Sequence, residues 1–325
     1  MADDLLTEKI YVDDDRVAAA TPSGRLALLR TDSGESVVEG RSREHLGDFA
    51  GTPPIAVGDL YVTFTDRVYA VTASGEVSWV QELPTEGYTN ITSRPVIIND
   101  HVYITTDEGS VLRVDPRNRT ISELDLPPIP GYWWDSDGQR VVVGTESYRT
   151  VVVDLSAEEV LWSRSGLPVD YPSFYDTDII SSSLRDDQLV VQRVDTDAGE
   201  IRWTSSVPGH RVTFSARLSS ETVAVVSQYP WERNEPSQAT LMNATSGEVM
   251  YTHELAPRIT PSGDISRESL ILTSVTGDVL SINKDDGLTQ HFESGSQISS
   301  PATVHNDRVI FATNDGEIRS RSLDR

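Results

Sequence analysis

Aromatic and arginine side chains in one irregular segment are the residues of this chain best suited to molecular recognition. The segment Gln228–Gln238, QYPWERNEPSQ, interrupts a regular succession of apolar runs and contains Tyr229, Trp231 and Arg233. These residue types are over-represented at the centres of protein interfaces. The alternative interpretation is a solvated loop whose Trp231 folds back onto the protein. The segment is a candidate for partner binding, not for catalysis.

Residues with catalytic or metal-binding chemistry form no recognisable motif. The chain has no cysteine, which excludes disulfides, thiolate nucleophiles and cysteine metal sites. Carboxylates are so abundant that neighbours such as Asp13–Asp15, or Asp176 and Asp178, are expected by chance and are weak candidates for metal ligands. Gly-x-Ser-x-Gly, His-Glu-x-x-His and phosphate-loop sequences do not occur. We therefore predict no catalytic residue, no metal site and no cofactor.

An internal repeat predicts the elements that must position these side chains. Its clearest copy is Ser93–Leu126, which contains four apolar runs separated by Asn, Asp, Gly and Pro. The runs are Val96–Ile98, His101–Thr105, Val111–Asp115 and Thr120–Leu126. Short runs bounded by residues that favour tight turns are typical of antiparallel strands. Each copy is therefore predicted to form one four-stranded sheet.

Copies of this unit extend over the whole chain. Their third strands begin about every 40 residues, at Leu26, Val68, Val111, Val151, Leu189, Thr240, Val279 and Ile318. No segment shows a sustained apolar period of 3.6, so helical repeats are excluded. We predict an all-β fold, an eight-bladed β-propeller formed by one domain over residues 1–325. Because the fifth copy is irregular, seven blades remain the alternative.

The eighth copy ends one strand short, and Ala2–Thr7 precede the first complete copy. The two observations fit if Asp4–Thr7 pairs beside Glu317–Leu323 as the last outer strand. We expect this N-terminal strand to close the ring and cover an otherwise open sheet edge.

Long loops are predicted at one end of the blades. In a four-stranded blade, the turn between the second and third strands lies at the same end as the crossover to the next blade. Arg41–Gly51, Pro84–Thr92 and Gln228–Gln238 all fall there. Loops on a rigid scaffold commonly carry binding residues. This end is the predicted binding surface.

Trp133 and Trp134 are a second pair of candidates for partner binding. They follow each other in a predicted inner strand that begins at Tyr132. Successive side chains of a strand face opposite sides. One tryptophan should enter the core between blades and the other should approach the central channel, with core packing as the role of at least one.

The chain is strongly acidic. Its 51 acidic and 27 basic residues give a formal net charge of −24, and only Lys9 and Lys284 are lysine. This composition resembles that of proteins from salt-accumulating haloarchaea, whereas an ordinary acidic protein would not explain the scarcity of lysine. An acidic surface repels phosphate backbones, so nucleic acid is excluded as a partner.

Targeting signals are not evident. No apolar run approaches the ~20 residues of a membrane helix, and the N-terminus MADDLLTEKI lacks the features of a signal peptide. We expect no membrane insertion, and a virion or cytoplasmic location in preference to export. Three Asn-x-Thr sequences, at Asn90, Asn118 and Asn243, matter for glycosylation only if the protein reaches the cell exterior.

Three features of the repeat resemble one known family. They are Ser-x-Pro before the inner strand, at Ser93–Pro95 and Ser299–Pro301, a third strand such as Val68–Val71, and the Gly-Glu-x-x-Trp sequence Gly75–Trp79. Together they resemble the PQQ-like, quinoprotein-type propeller repeat. The resemblance implies that Trp79 and its counterparts Trp162 and Trp203, with Tyr251 at this position in the sixth copy, belong to the blade structure. The tryptophans are expected to dock between neighbouring blades.

The family contains quinone-dependent dehydrogenases and a non-enzymatic, BamB-like branch. The dehydrogenases are longer and place the quinone against a disulfide of adjacent cysteines, which this chain lacks. We therefore predict a non-catalytic binding or structural module that mediates protein–protein interaction in a larger assembly of a halophilic archaeon or its virus. A virion component and a cell-surface scaffold both fit, and a surface glycan is a further possible ligand. The alternative is an enzyme that binds PQQ or a sugar in the axial channel.

Stability should depend steeply on salt, because the excess of carboxylates repels itself unless it is screened, and the screening length falls to ~3 Å at 1 M salt. We expect aggregation or unfolding in dilute buffer and one cooperative thermal transition in molar salt. Equal melting temperatures in the two conditions would contradict this expectation.

Overall fold

Strands form all the regular secondary structure of the described chain. The computed structural model describes residues 10–12, 16–21, 25–30, 54–65, 67–84, 91, 95–129, 131–145, 149–165, 173–185, 188–230, 235–255, 259–266, 268–283, 285 and 287–323. Within these ranges there are thirty strands and no helix. Accordingly, no helix of this part of the chain has the length and apolar character needed to span a bilayer.

The strands form eight antiparallel meanders, which we number as blades in chain order. Blade 1 is β1 (Ile10–Val12), β2 (Arg16–Thr21) and β3 (Arg25–Arg30); blade 2 is β4 (Ile55–Val57), β5 (Leu60–Phe64), β6 (Arg67–Thr72) and β7 (Val77–Glu82); blade 3 is β8 (Val96–Ile98), β9 (His101–Thr105), β10 (Val111–Asp115) and β11 (Thr120–Glu123); blade 4 is β12 (Gly131–Ser136), β13 (Arg140–Thr145), β14 (Arg149–Asp154) and β15 (Glu159–Ser165); blade 5 is β16 (Ser173–Tyr175), β17 (Asp178–Arg185), β18 (Gln188–Asp195) and β19 (Ile201–Val207); blade 6 is β20 (Arg211–Arg217), β21 (Thr222–Gln228), β22 (Ser237–Asn243) and β23 (Val249–Leu255); blade 7 is β24 (Ile259–Ser266), β25 (Ser269–Ser274), β26 (Asp278–Asn283) and β27 (Gly287–Glu293); blade 8 is β28 (Thr303–His305), β29 (Arg308–Ala312) and β30 (Ile318–Ser322).

The prediction of an eight-bladed, all-β propeller is confirmed, and the seven-blade alternative is wrong. The irregular fifth copy forms a complete sheet in which β17 and β18 pair along their full lengths. Its irregularity comes from Ser181, Ser182 and Ser183, which are buried although they are polar and so hide the apolar pattern of the strand. Six blades have four strands, and blades 1 and 8 have three within the described residues. Residues 4–7, the predicted closing strand, lie outside them, so closure stays a prediction.

Two compact units divide the blades. One comprises Met1–Pro130 and Gly295–Arg325 and contains blades 1, 2, 3 and 8. The other is Gly131–Ser294 and contains blades 4 to 7. In each unit the apolar core lies between the faces of adjacent blades. Because the two middle strands of a blade are covered on both faces, runs such as Val141–Val143 in β13 and Val151–Val153 in β14 are apolar without alternation.

Three tryptophans dock blades 2, 4 and 5 onto the blades that follow them, as the resemblance implied. The indole N–H of Trp79 donates to the Pro116 carbonyl (3.0 Å), that of Trp162 to Thr196 (2.5 Å) and that of Trp203 to Ala244 (2.8 Å). In all three blades a β-bulge lies directly before the tryptophan in the outer strand. A bulge kinks its strand and changes the direction of the following side chain. The bulge therefore directs each indole toward the next blade.

Blade 6 departs from this pattern. Tyr251 takes the equivalent place after the bulge, but it is 49% exposed, and it is His253 that lies against Gly287 of blade 7. By contrast Trp203 is 8% exposed and covers Gly247, where an added Cβ would lie 2.6 Å from the indole. The positive φ of Gly247 and the close indole both require glycine there.

Trp203 and Tyr251 occupy the same position in the repeat, but only Trp203 docks onto the next blade. Truncating each to alanine should show that stability depends on docking and not on the position alone. Trp203→Ala should lower the free energy of unfolding by about 3–5 kcal/mol, because it leaves a cavity and removes a buried hydrogen bond. Tyr251→Ala should change it by less than about 1 kcal/mol, because the side chain is half exposed. Denaturant unfolding in molar salt measures both, and similar losses would contradict the assigned roles.

Candidate functional site

The loop predicted to bind a partner is shorter than the sequence suggested. β21 continues through Gln228 and β22 begins at Ser237, so the connection comprises residues 229–236. The predicted boundaries were wrong because Gln228 and Gln238 are polar residues that belong to the ladder, where Gln238 pairs with Ser227. Tyr229 is half-buried at the start of the loop. Trp231 and Arg233 lie outside the described residues, so their binding role stays a prediction.

The other predicted sites are placed only in part. Trp133 and Trp134 are in β12, opposite Gly144 and Val143, and a bulge lies between Gly131 and Trp133. Their side chains lie outside the described part of the structure, as does the whole of residues 41–51. Of residues 84–92, only Pro84 and Ile91 are described.

Hydrogen bonds fix the end of β21, from which the 229–236 loop begins. Ser227 Oγ donates to the Pro208 carbonyl (2.6 Å), and the backbone N–H of His210 donates to the Gln228 carbonyl (2.9 Å). Gln228 Nε2 donates to the carbonyl of Ile259 in blade 7 (2.8 Å). The loop thus starts from a strand end that is tied to the crossover before blade 6 and to the first strand of blade 7.

Exposed apolar side chains lie at the same end of the two neighbouring blades. Leu184, the second-last residue of β17, and Val275, in the turn between β25 and β26, are each 37% exposed. Scattered exposed apolar residues are ordinary. Here, however, the two exposed side chains lie on the blades on either side of blade 6, at the end where β21 and β22 are connected. We call Leu184, residues 229–236 and Val275 the loop end.

The opposite end of the blades is built from capped turns that sequence reasoning missed. In blades 3 to 6 the last residue of the third strand is Asp or Asn, and its Oδ1 accepts the backbone N–H groups two and three residues later. Asp195 accepts from Asp197 (2.9 Å) and Ala198 (2.7 Å). The same pair of bonds is made by Asp115, Asp154 and Asn243. The signal was present in the sequence, but the general abundance of Asp concealed it.

A buried carboxylate at this end holds two arginines. Asp178 is fully buried, and its Oδ1 accepts from Arg202 Nε at 2.8 Å while its Oδ2 accepts from Arg193 Nε. Arg193 Nη1 also donates to the carbonyl of Ala244 in blade 6 (2.7 Å), and Arg202 Nη2 to Asp195 (2.5 Å). Both oxygens of Asp178 are therefore used in ion pairs within blade 5, and Arg193 also joins this cluster to blade 6.

Tyr175 lies between two guanidinium groups of the same cluster. The Cζ atoms of Arg193 and Arg217 are 4.8 and 4.9 Å from its ring centre, and Arg217 also pairs with Asp176. The phenol donates to the Ser220 carbonyl (2.7 Å). Burial raises the pKa of Tyr175, more than the two arginines lower it. The phenol is therefore protonated at neutral pH and serves as a hydrogen-bond donor, not a base.

The capped turns should make stability sensitive to acid. The backbone N–H of Ala198 contributes most to lowering the pKa of Asp195. Burial raises the pKa of Asp115 and Asp154, but their hydrogen bonds outweigh it and the net shift is also downward. A carboxyl whose pKa is lower in the folded state stabilises the fold above its unfolded pKa of about 3.9, and this contribution is lost as pH falls through the folded value.

We expect the melting temperature to fall as pH decreases from 5 to 3 at fixed ionic strength. A triple variant, Asp115→Asn, Asp154→Asn and Asp195→Asn, keeps the capping oxygen, as Asn243 does, but cannot titrate. Its melting temperature should fall less steeply over the same range in thermal unfolding monitored by circular dichroism. If the melting temperatures of the variant and the wild type fall equally with pH, the capped turns do not cause the pH dependence.

The side chains at the capped end of the blades stabilise the fold. Among the described residues, no group of three or more His, Cys, Asp or Glu side chains is placed to hold a metal ion. The arrangement can cap turns and fasten blades, while the loop end offers a strand end fixed by hydrogen bonds at Ser227 and Gln228, together with exposed Leu184 and Val275, for contact with another molecule.

Comparisons with known proteins agree with the architecture. A family model described as outer membrane protein assembly factor BamB matches residues 5–123 and 186–325. The unmatched interval contains blade 4, β16 and β17, which nonetheless fold as blade strands. No curated protein sequence gives a significant match.

Three solved structures illustrate the similarity of fold. BamB from Moraxella catarrhalis has a TM-score of 0.72 at 17% identity, over 97% of this chain and 93% of that one. Sqt1 of Saccharomyces cerevisiae has a TM-score of 0.76 at 12% identity, over 99% and 98%. The computationally designed Ika8 protein has a TM-score of 0.75 at 14% identity, over 99% and 97%. The fold is thus shared with a designed protein and carries no function by itself. Because the family model matches most of its length, this chain belongs to the PQQ-like propeller family described as outer membrane protein assembly factor BamB.

Proposed function

We propose that this chain is a non-catalytic module that binds a protein partner at the loop end. The observation that carries the proposal is the 229–236 loop, whose base is fixed by the bonds of Ser227, His210 and Gln228. A loop held at its base loses less conformational entropy when it is bound than a free one. Exposed Leu184 and Val275 extend the apolar contact area to both adjacent blades.

Family membership supports an assembly role. The family's description names a factor in protein assembly, so a partner protein is the ligand class that agrees with it. A surface glycan is the second ligand class for the same end. The acidic composition, with a net charge of −24, supports a high-salt setting and opposes binding to nucleic acid. We place the module in an assembly of a halophilic archaeon or its virus, either a virion or a cell-surface scaffold.

The test compares binding by variants that keep the blades intact. In one, residues 229–236 are replaced by Asn-Gly, which joins β21 and β22 by a two-residue hairpin turn. In the second, Leu184→Ser and Val275→Ser remove the apolar side chains of the adjacent blades. The control is Leu161→Ser in the outer strand β15, since Leu161 is equally exposed, at 37%, but lies away from the loop end.

Proteins cross-linked to the wild-type chain in its own cells are identified, and the affinity of the leading partner is measured in molar salt. We expect both loop-end variants to weaken binding at least tenfold, with the control unchanged. Equal binding by all three variants would overturn the proposal. So would a tight, stoichiometric absorbance change on titration with pyrroloquinoline quinone, which would favour the enzymatic alternative.

A further inference from the structure

Two of the three Asn-x-Thr sequences lie in the same kind of turn but at different positions in it. Asn118 is the fourth residue of the capped turn that begins at Asp115, between β10 and β11. Asn243 is the first, capping residue of the corresponding turn between β22 and β23. The third asparagine, Asn90, lies outside the described residues. The repeat thus provides an internal comparison of two acceptor sequences in one local structure.

We propose that Asn118 is an acceptor for N-linked glycosylation and that Asn243 is not. This inference rests on the cell-surface setting of the proposed function, because the acceptor sequences matter only if the protein reaches the cell exterior. Asn118, Arg119 and Thr120, the complete acceptor sequence, are all exposed. Arg119 has a φ of 57°, so the chain reverses sharply here and presents the asparagine at the tip of the turn. The asparagine amide and the threonine hydroxyl that an acceptor sequence requires are therefore both accessible to solvent.

The environment of Asn243 differs at its first two residues, while Thr245 is exposed as Thr120 is. Its Oδ1 accepts the N–H groups of Thr245 and Ser246, both at 2.9 Å, and its side chain is half-buried. The next residue, Ala244, is fully buried, and its carbonyl accepts hydrogen bonds from Trp203 and Arg193 of blade 5. The acceptor sequence at Asn243 is therefore partly covered by the preceding blade.

Glycosylation at Asn118 is compatible with the turn. In the reaction, Asn118 Nδ2 forms a bond to the anomeric carbon of a lipid-linked oligosaccharide. The bond from that carbon to the phosphate oxygen breaks, the lipid phosphate leaves with the electron pair, and Nδ2 loses one proton. The second amide proton remains and can still be donated to Asp115 Oδ2, which is 2.7 Å from Nδ2. The capping bonds to Asp115 Oδ1 come from the backbone and are unaffected.

The first experiment uses the full-length chain isolated from the organism that encodes it. Proteolytic digestion and mass spectrometry should show a glycan mass on the peptide containing Asn118 and none on the peptide containing Asn243. Asn118→Gln, expressed in the same organism, should abolish the addition. An unmodified Asn118 in the native chain, or a glycan on Asn243 instead, would overturn the proposal.

A second variant tests whether glycosylation depends on the position of the acceptor sequence in the turn or on the blade that contains it. In an Asn118→Gln and Asn243→Asp background, Ser246→Asn with Glu248→Thr creates an acceptor sequence at the fourth position of the blade 6 turn. Both replaced residues are exposed, and Asp serves as the capping residue in blade 3. We expect this variant to be glycosylated at position 246 while keeping a cooperative unfolding transition. A folded variant without glycan would refute the argument from turn position.

Discussion

A hydrogen bond from an outer-strand indole to a turn carbonyl of the following blade holds blades 2, 4 and 5 against the blades that follow them. The accepting carbonyl is always the residue after the capping Asp or Asn: Pro116 after Asp115, Thr196 after Asp195, and Ala244 after Asn243. The cap binds the next two N–H groups and so fixes the orientation of that carbonyl. Turn capping and blade docking are therefore linked, because the capped turn orients the backbone carbonyl that accepts the indole N–H of the preceding blade.

This link gives the two ends of the blades different roles. At the capped end, Asp178 and Tyr175 are buried or enclosed by arginines, and the bonds of Arg193 join blades 5 and 6. At the loop end, the turns are free to vary in length because docking does not use them. The insertion in blade 6 could therefore arise without disturbing the ladder, in which Ser227 and Gln238 still pair. Turns of variable length at one end and hydrogen-bonded turns at the other are the arrangement expected of a binding scaffold.

Much of the fold was predictable because its signals are local and repeated. Turn residues and apolar runs predicted the strands, the spacing placed Trp79, Trp162 and Trp203 at one position of the repeat, and the family resemblance implied their docking role. The contacts of Asp178 could not be predicted in this way. Arg193 lies in the third strand and Arg202 at the bulge of the fourth, and only the register of the folded sheet brings them to one carboxylate. The failure of Tyr251 to dock was equally hidden, since it occupies the same position in the repeat as the tryptophans.

The ion pairs around Asp178 show that the excess negative charge of the chain does not lie in this cluster. Asp176, Asp178 and Asp195 are matched by Arg193, Arg202 and Arg217, so this cluster adds no net charge to a chain whose total is −24. Arginine is required there because one planar guanidinium, that of Arg193, donates to Asp178 and to the Ala244 carbonyl at once. A lysine ammonium lacks that forked geometry. Since buried pairs are screened much less than exposed charges, added salt acts mainly on exposed carboxylates and leaves the ion pairs of buried Asp178 in place.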